Sequence, residues 1–345
     1  MRAVVLYGPN DLRYEEVPTP AAGPGEVLIR TRAAAVCGTD LRIVDGTKTR
    51  GVRLPGIIGH EIAGDVAEVG EGVTGLAVGD RVGVTPIVSC GRCYYCLHGL
   101  ENVCDDMTAF GYDLHGGFAE YVLVPARAVA AGNVFHLPAN VSYEEGCLAE
   151  PLACCINGAE KVRLALGQTV LIAGAGPIGL MHLQLARAAG ASEVIVSEPQ
   201  AHRRRFAREM GATAVVDPTT GGLPGVVAER TGGLGVHAAI MAIGAAPIVD
   251  EIFALVRKGG FVNLFAGFPG KGEATVTANL VHYNELNVVG TSSSARRHYR
   301  RALELIGAGT VDLRRLVTSV HPLAEAGEAV ATARRGDGLR ALVRP

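Results

Sequence analysis

Apolar positions change their rhythm midway along this 345-residue chain. Over the first 150 positions they come in short runs cut by glycine and proline: 26–32 behind Gly23-Pro24-Gly25, then 62–69, then Arg81–Val84. Short runs with such punctuation predict an irregular antiparallel β region. From Pro151 onward, apolar runs at Thr169–Ala173, Glu193–Ser197, Ala214–Val216, 238–242, 260–266 and 286–289 alternate with longer stretches of helical period. That alternation predicts parallel strand–helix–strand units. A helix over 297–307 and a strand over 340–343 follow. Pattern alone leaves open which region they join. The reading is an α/β protein of two domains, in keeping with its length.

One junction of strand and helix carries chemistry. Thr169–Ala173 runs straight into Gly174-Ala175-Gly176-Pro177-Ile178-Gly179, and a helix-periodic stretch follows over 180–189. Between a strand and a helix, the glycines divide the work. Gly174 permits the tight turn, Gly176 lets a pyrophosphate approach the backbone, and Gly179 lets the helix pack on the strand. The free N–H groups of the helix start, Pro177 and Ile178 among its first residues, then face the phosphates. The next strand ends at Glu198, 19 residues beyond Gly179. A carboxylate there accepts hydrogen bonds from the ribose hydroxyls and repels a 2′-phosphate, which favours NAD over NADP. Arg203-Arg204-Arg205 complicates the choice. It reads either as a solvated helix face or, through Arg203, as a clamp on a 2′-phosphate.

Cysteine spacing adds a second chemistry. Cys90, Cys93, Cys96 and Cys104 place four thiols within 15 residues. Four thiolates complete one tetrahedral zinc shell and leave no position for a substrate, so this zinc is structural. An iron–sulfur cluster is the alternative, which the close loop spacing disfavours. A nucleic-acid finger is opposed by the acidic neighbours Glu101, Asp105 and Asp106. Elsewhere, Cys37 precedes Gly38-Thr39-Asp40, His60-Glu61 lies in a glycine-rich segment, and Glu150-Pro151 marks the change in rhythm. One thiol, one imidazole and one or two carboxylates suit a zinc ion that keeps an exchangeable position. Each residue also has a plain alternative as a core cysteine, a satisfied histidine or a helix cap. Cys147, Cys154 and Cys155 are read as packing residues.

Charge narrows the partners. The chain has 32 basic and 34 acidic residues, a formal net charge of −2, with 19% charged and 48% hydrophobic residues. There is no basic field for nucleic acid, and the composition is that of a chain with a large core. No charged-then-apolar leader and no apolar run near 18 residues is found, so the expectation is a cytoplasmic protein without a membrane partner and with reduced thiols. The 46 glycines fit a fold of many tight turns.

Together these features resemble the zinc-dependent medium-chain alcohol dehydrogenase superfamily. Gly59-His60-Glu61-x2-Gly64-x5-Gly70-x2-Val73 matches its zinc signature at each fixed position, and Val78-Gly79-Asp80-Arg81-Val82 follows as it does there. The four-cysteine lobe and the glycine-rich turn stand in the family's order. Within the superfamily the chain looks most like the polyol (sorbitol-type) dehydrogenases and L-threonine dehydrogenase, on Cys37-Gly38-Thr39-Asp40 and Glu150-Pro151-Leu152. The resemblance implies a GroES-like β domain over 1–152 carrying both zincs, a Rossmann domain with a doubly wound parallel sheet over 153–290, and a tail over 291–345 returning to the first domain. It implies an active site in the cleft between them and a homodimer or homotetramer. It also implies a reaction: zinc held by Cys37 and His60, with Glu61 and Glu150 as third ligand or water-holding partners, acidifies an alcohol. Thr39 relays the proton, and hydride passes to NAD. The expected substrate is a secondary alcohol in a polyol, sugar, cyclitol or aminocyclitol; L-threonine is the enzymatic alternative, and a binding protein that has lost activity is the other class. Two departures bear on this. Arg42 stands where relatives commonly carry a relay histidine, and arginine is no neutral base; water, a ribose hydroxyl or His115 are the candidates to replace it. Thr291-Ser292-Ser293-Ser294 stands where sorbitol-type enzymes have an Arg-Tyr pair.

Overall fold

The computed structural model describes residues 1–345 as two units. One unit comprises Met1–Ala153 and Ser294–Pro345, the other Cys154–Ser293. The boundary falls inside the helix Ala149–Lys161.

The first unit is built on a mixed sheet ordered Val134–His136, Arg81–Val84, Glu61–Val69, Val27–Ala35, Arg340–Arg344 and Val317–Pro322, with Tyr121–Val124 also pairing Val27–Ala35. The central pair, Val27–Ala35 with Glu61–Val69, is antiparallel and brings Ala35 opposite Glu61. Register shifts at Leu28/Ile29 and Thr31/Ala33 bend it. The late strand Arg340–Arg344 adds to the same Val27–Ala35 edge, Leu342 facing Ala35. The tail over 294–345 therefore closes the sheet begun near residue 27. Core clusters on Val27, Ile29, Ile62, Val66, Val82, Phe110 and Val122, and on Val4, Leu6, Ile43, Ile58, Phe118 and Val343, fill the space about it.

The second unit carries six parallel strands in the order Ala214–Val216, Glu193–Ser197, Thr169–Ala173, Val236–Met241, Val256–Leu264, Asn287–Gly290. In chain order that is 3-2-1-4-5-6, the dinucleotide-binding arrangement whose strand order reverses beside the first strand. All five residues of Thr169–Ala173 are buried, as both-face coverage demands of a central parallel strand. Four elements of this unit are displaced from their expected limits: 238–242 is Val236–Met241, 260–266 is Val256–Leu264, 286–289 is Asn287–Gly290, and the helix after the glycine-rich turn is Pro177–Ala188. Proline at the first helical position starts that helix three residues before its apolar period becomes visible.

Candidate active site

Two strand ends position the first ligand set. Cys37 caps the helix Gly38–Val44 directly after Val27–Ala35, and His60 stands one residue ahead of Glu61–Val69. The pairing of Ala35 with Glu61 places both at one end of the sheet. The approach depends on Gly59 in a left-handed conformation (φ +89°), where an added Cβ would lie 2.6 Å from the Phe118 ring. One ligand atom each from Cys37, His60 and Glu61 falls within 4.8 Å of the others. Glu150 is outside that trio, in the first turn of Ala149–Lys161; it is buried, and its charge is felt at Glu61.

Behind the trio lies a set of buried charges. Asp40, fully buried, places Oδ1 3.3 Å from His60 Nδ1, while its Oδ2 accepts the Cys37 N–H at 2.8 Å. A metal ligand whose second nitrogen faces a carboxylate is fixed in ring orientation and made more basic. Burial works to lower the His60 pKa, but the Asp40 and Cys37 charges outweigh it and raise the pKa well above the ordinary value. Glu61 is fully buried, and Arg340 donates to its Oε1 at 3.0 Å and to the Val36 carbonyl at 3.1 Å. Its Oε2 has no protein partner. Burial raises the Glu61 pKa to about 7, Glu150 adds to the rise, and Arg340 opposes it. An orphaned carboxylate oxygen beside a thiol and an imidazole fits a divalent cation.

Thr39 sits two residues past Cys37, its hydroxyl accepting from Arg42 Nη2 at 3.0 Å. Tyr112 lies with its ring centroid 5.6 Å from that of His60, and burial pushes its phenol up to about 12. His115 is exposed; its Nδ1 accepts the Ile57 N–H at 3.2 Å, and partial burial, with Arg53 nearby, lowers its pKa.

The four-cysteine loop is compact. The Sγ atoms of Cys90 and Cys96 are 3.9 Å apart, Cys93 and Cys96 3.6 Å, Cys93 and Cys104 3.8 Å. Tetrahedral zinc with Zn–S bonds of ~2.3 Å requires edges of about 3.8 Å. Backbone N–H groups of Arg92 and Cys93 point at Cys90 Sγ, and that of Cys90 at Cys104 Sγ. Such donors favour thiolates, and backbone hydrogen bonds lower the Cys93 pKa to about 6. The spacing fits a closed structural zinc.

In the second unit, Gly174 takes φ +104°, and a Cβ on Gly179 would lie 1.9 Å from the Gly174 carbonyl. Only glycine allows the helix Pro177–Ala188 to start so close to the strand. Glu198 is 4% exposed, with Oε2 accepting the Ala175 N–H at 2.8 Å and Oε1 the Gln200 N–H at 2.9 Å. It therefore pins the glycine-rich turn to the neighbouring strand end, a role the strand pattern did not reveal. Each oxygen retains acceptor capacity for a hydroxyl. Of the three arginines, Arg204 pairs with Asp217 at 2.9 Å, Arg205 faces Glu209 on the same helix, and an Arg203 guanidinium nitrogen lies 3.9 Å from a Cβ built on Gly176. Only Arg203 stands beside the turn.

Sequence reasoning missed Arg340 and the role of Asp40. Asp40 had a visible signal, an acidic residue three positions past the helix-capping cysteine. Arg340 had a weak one, a basic residue opening an apolar strand.

Family models match two stretches: residues 23–135 fit the alcohol dehydrogenase GroES-like domain, and 177–308 fit the zinc-binding dehydrogenase domain. An L-threonine 3-dehydrogenase of Pyrococcus furiosus is 41% identical over 278 residues, 80% of this chain and 78% of that protein. The chain belongs to the zinc-dependent medium-chain dehydrogenases. A sorbitol dehydrogenase of Bacillus subtilis is 32% identical over 96% of this chain and 92% of its own length. A zinc-binding dehydrogenase from Sinorhizobium meliloti 1021, solved bound to NADP, superposes with a TM-score of 0.93 at 35% identity, covering 100% of this chain and 99% of that one. The GroES-like and Rossmann-type architecture and the oxidoreductase class are thereby shown, with a nicotinamide dinucleotide as cofactor. No helix is long and apolar enough to cross a membrane.

Proposed function

We propose that this dehydrogenase oxidises a secondary alcohol of a polyol, sugar, cyclitol or aminocyclitol to a ketone with NAD. The observation that carries the reading is the trio of half-buried Cys37 with buried His60 and Glu61, with its orphaned Glu61 oxygen and the Arg340 and Asp40 charges behind it. The sorbitol dehydrogenase similarity supports the substrate class.

Cys37 and His60, with Glu61 or Glu150 as third group, hold a catalytic zinc; Cys90, Cys93, Cys96 and Cys104 hold a structural one. Bound zinc supplies Lewis acidity, bringing the alcohol pKa toward neutrality. Asp40 Oδ1 faces His60 Nδ1, which would leave Nε2 as the nitrogen offered to the metal. Arg340 holds one Glu61 oxygen and leaves the other unpartnered, so that it would be available to the metal. Thr39 accepts the substrate's hydroxyl proton through a lone pair not used by Arg42. Arg42 cannot receive that proton, so it leaves through Thr39's own O–H toward a ribose hydroxyl or solvent. Gly174, Gly176, Pro177, Ile178 and Gly179 receive the cofactor pyrophosphate. Glu198 takes the ribose hydroxyls and disfavours a 2′-phosphate, Arg203 flanking it. The working state is a cytoplasmic homodimer or homotetramer.

A second reading, L-threonine 3-dehydrogenase, is favoured by the 41% identical relative. The deciding experiment is NADH formation by zinc-replete enzyme with sorbitol, inositols, aminocyclitols and L-threonine, beside metal analysis. Preference for one polyhydroxylated alcohol is the expected outcome. Preference for threonine installs the second reading, and silence with neither zinc nor NAD bound ends both.

A further inference from the structure

Most arginines at the surface of the first unit face a carboxylate: Arg2 with Glu16, Arg13 with Asp11, Arg32 with Asp65. The segment beside the metal trio departs from this. Arg42, Lys48, Arg50 and Arg53 bring four positive charges within twelve residues, and none forms an ion pair. The nearby carboxylates are already engaged: Asp40 by His60 and the Cys37 amide, Asp45 by Arg334, Asp113 by the Ala109 amide. Two of the cations adjoin the chemistry. Arg42 donates to the Thr39 hydroxyl, and the Lys48 ammonium stands 5.5 Å from the centroid of the Tyr112 ring, itself next to His60. The segment is anchored, with Thr47 and Lys48 amides on the Arg42 carbonyl and the Arg53 amide on that of Tyr112.

Unpaired cations held by an anchored backbone beside a reaction centre make a positive field that attracts and orients anions. We propose that the alcohol oxidised here carries an anionic group, a carboxylate or a phosphate monoester, received by Arg42 and Lys48. The inference rests on the dehydrogenase reading above and narrows its substrate. The cofactor's pyrophosphate is the rival anion, but its place is provided in the second unit by the glycine-rich turn and its helix start.

The test is NADH formation by zinc-replete enzyme with matched pairs: L-threonine against L-threoninol, D-gluconate against D-sorbitol, D-arabitol 5-phosphate against D-arabitol. The pairs separate carboxylate from phosphate. The acid of at least one pair should exceed its neutral partner about tenfold or more in kcat/KM, and the ratio should shrink between about 0.05 and about 0.5 M salt. Lys48→Met should cut that ratio about fivefold through KM, with Lys48→Arg restoring it. Neutral partners used as well as the acids would overturn the inference and leave the dehydrogenase reading intact. So would a ratio unmoved by the variants, or variants whose whole effect is weaker NAD binding in substrate-free enzyme, since the cations then serve the cofactor. Turnover of neutral alcohols alone also overturns the inference, and silence on every pair with neither zinc nor NAD bound removes both readings.

Discussion

The two clusters that could hold a metal are built on opposite plans. The four cysteines come from one 15-residue loop, are stabilised by amides of the same loop, and are mostly half-buried. The trio of Cys37, His60 and Glu61 is drawn from two strand ends and depends on Arg340, 279 positions away in the chain from Glu61. A closed site needs only its ligands in place. An open site needs its unsatisfied charges supported from behind, and that support comes from wherever the fold can bring it.

The contrast can be broken in graded steps. Cys37→Ser should lower kcat/KM by about a thousandfold or more, since the Lewis acid is lost while the Rossmann unit still binds NAD. Steady-state rates and NAD titration read this out, and a variant retaining wild-type turnover removes the metal assignment. Arg340→Met should cost about 3–5 kcal/mol, because it strands a fully buried carboxylate. The double variant Arg340→Met/Glu61→Gln should regain much of that in chemical denaturation; an additive double variant would show that the pair is uncoupled. Cys96→Ser should halve the zinc content from two to one per chain and lower the thermal midpoint, with a much smaller change in kcat than at Cys37. Equal losses of kcat at both clusters would erase the distinction drawn between them.

The smallest effect at neutral pH belongs to His182, outside both clusters. It is fully buried against Phe265 with neither ring nitrogen hydrogen-bonded, and burial lowers its pKa to about 3. The unfolded chain binds a proton below pH ~6.5 that the native state refuses down to about 3, so stability is complete above that window and falls by up to ~1.4 kcal/mol per pH unit within it. His182→Phe should flatten the urea midpoint between pH ~6.5 and ~4 while barely moving it at pH ~7.5. An unchanged slope would place the acid sensitivity elsewhere.

What could be read from the sequence follows the same division. The cysteine lobe and the glycine-rich turn are local; their spacing is their geometry, and both were legible. The trio Cys37, His60 and Glu61 was legible through motif resemblance, since nothing in the 22 residues between Cys37 and His60 says that Ala35 will pair with Glu61. Arg340 was not legible, because its role exists only once the strand Arg340–Arg344 joins the edge of Val27–Ala35. Glu198 was located correctly at a strand end, but its bond to the Ala175 amide is a contact between neighbouring strands that no single-strand pattern encodes. His182 lay within a helix of the right period, where an imidazole on the buried face is indistinguishable from one at the surface.

The return of Arg340–Arg344 to the first sheet also sets an order of events during synthesis. A ribosome releases Cys37, His60 and Glu61 long before Arg340, with the whole of Cys154–Ser293 emerging in between. Until translation reaches those last residues, Glu61 lacks its Arg340 partner and the sheet has an open edge. The second unit, with contacts that are local by comparison, can fold on the way out of the tunnel, while the first must wait and thread its closing strand last. Nascent chains stalled short of residue 340 should thus expose an unprotected strand edge, the state in which a chaperone or a protease would meet this protein.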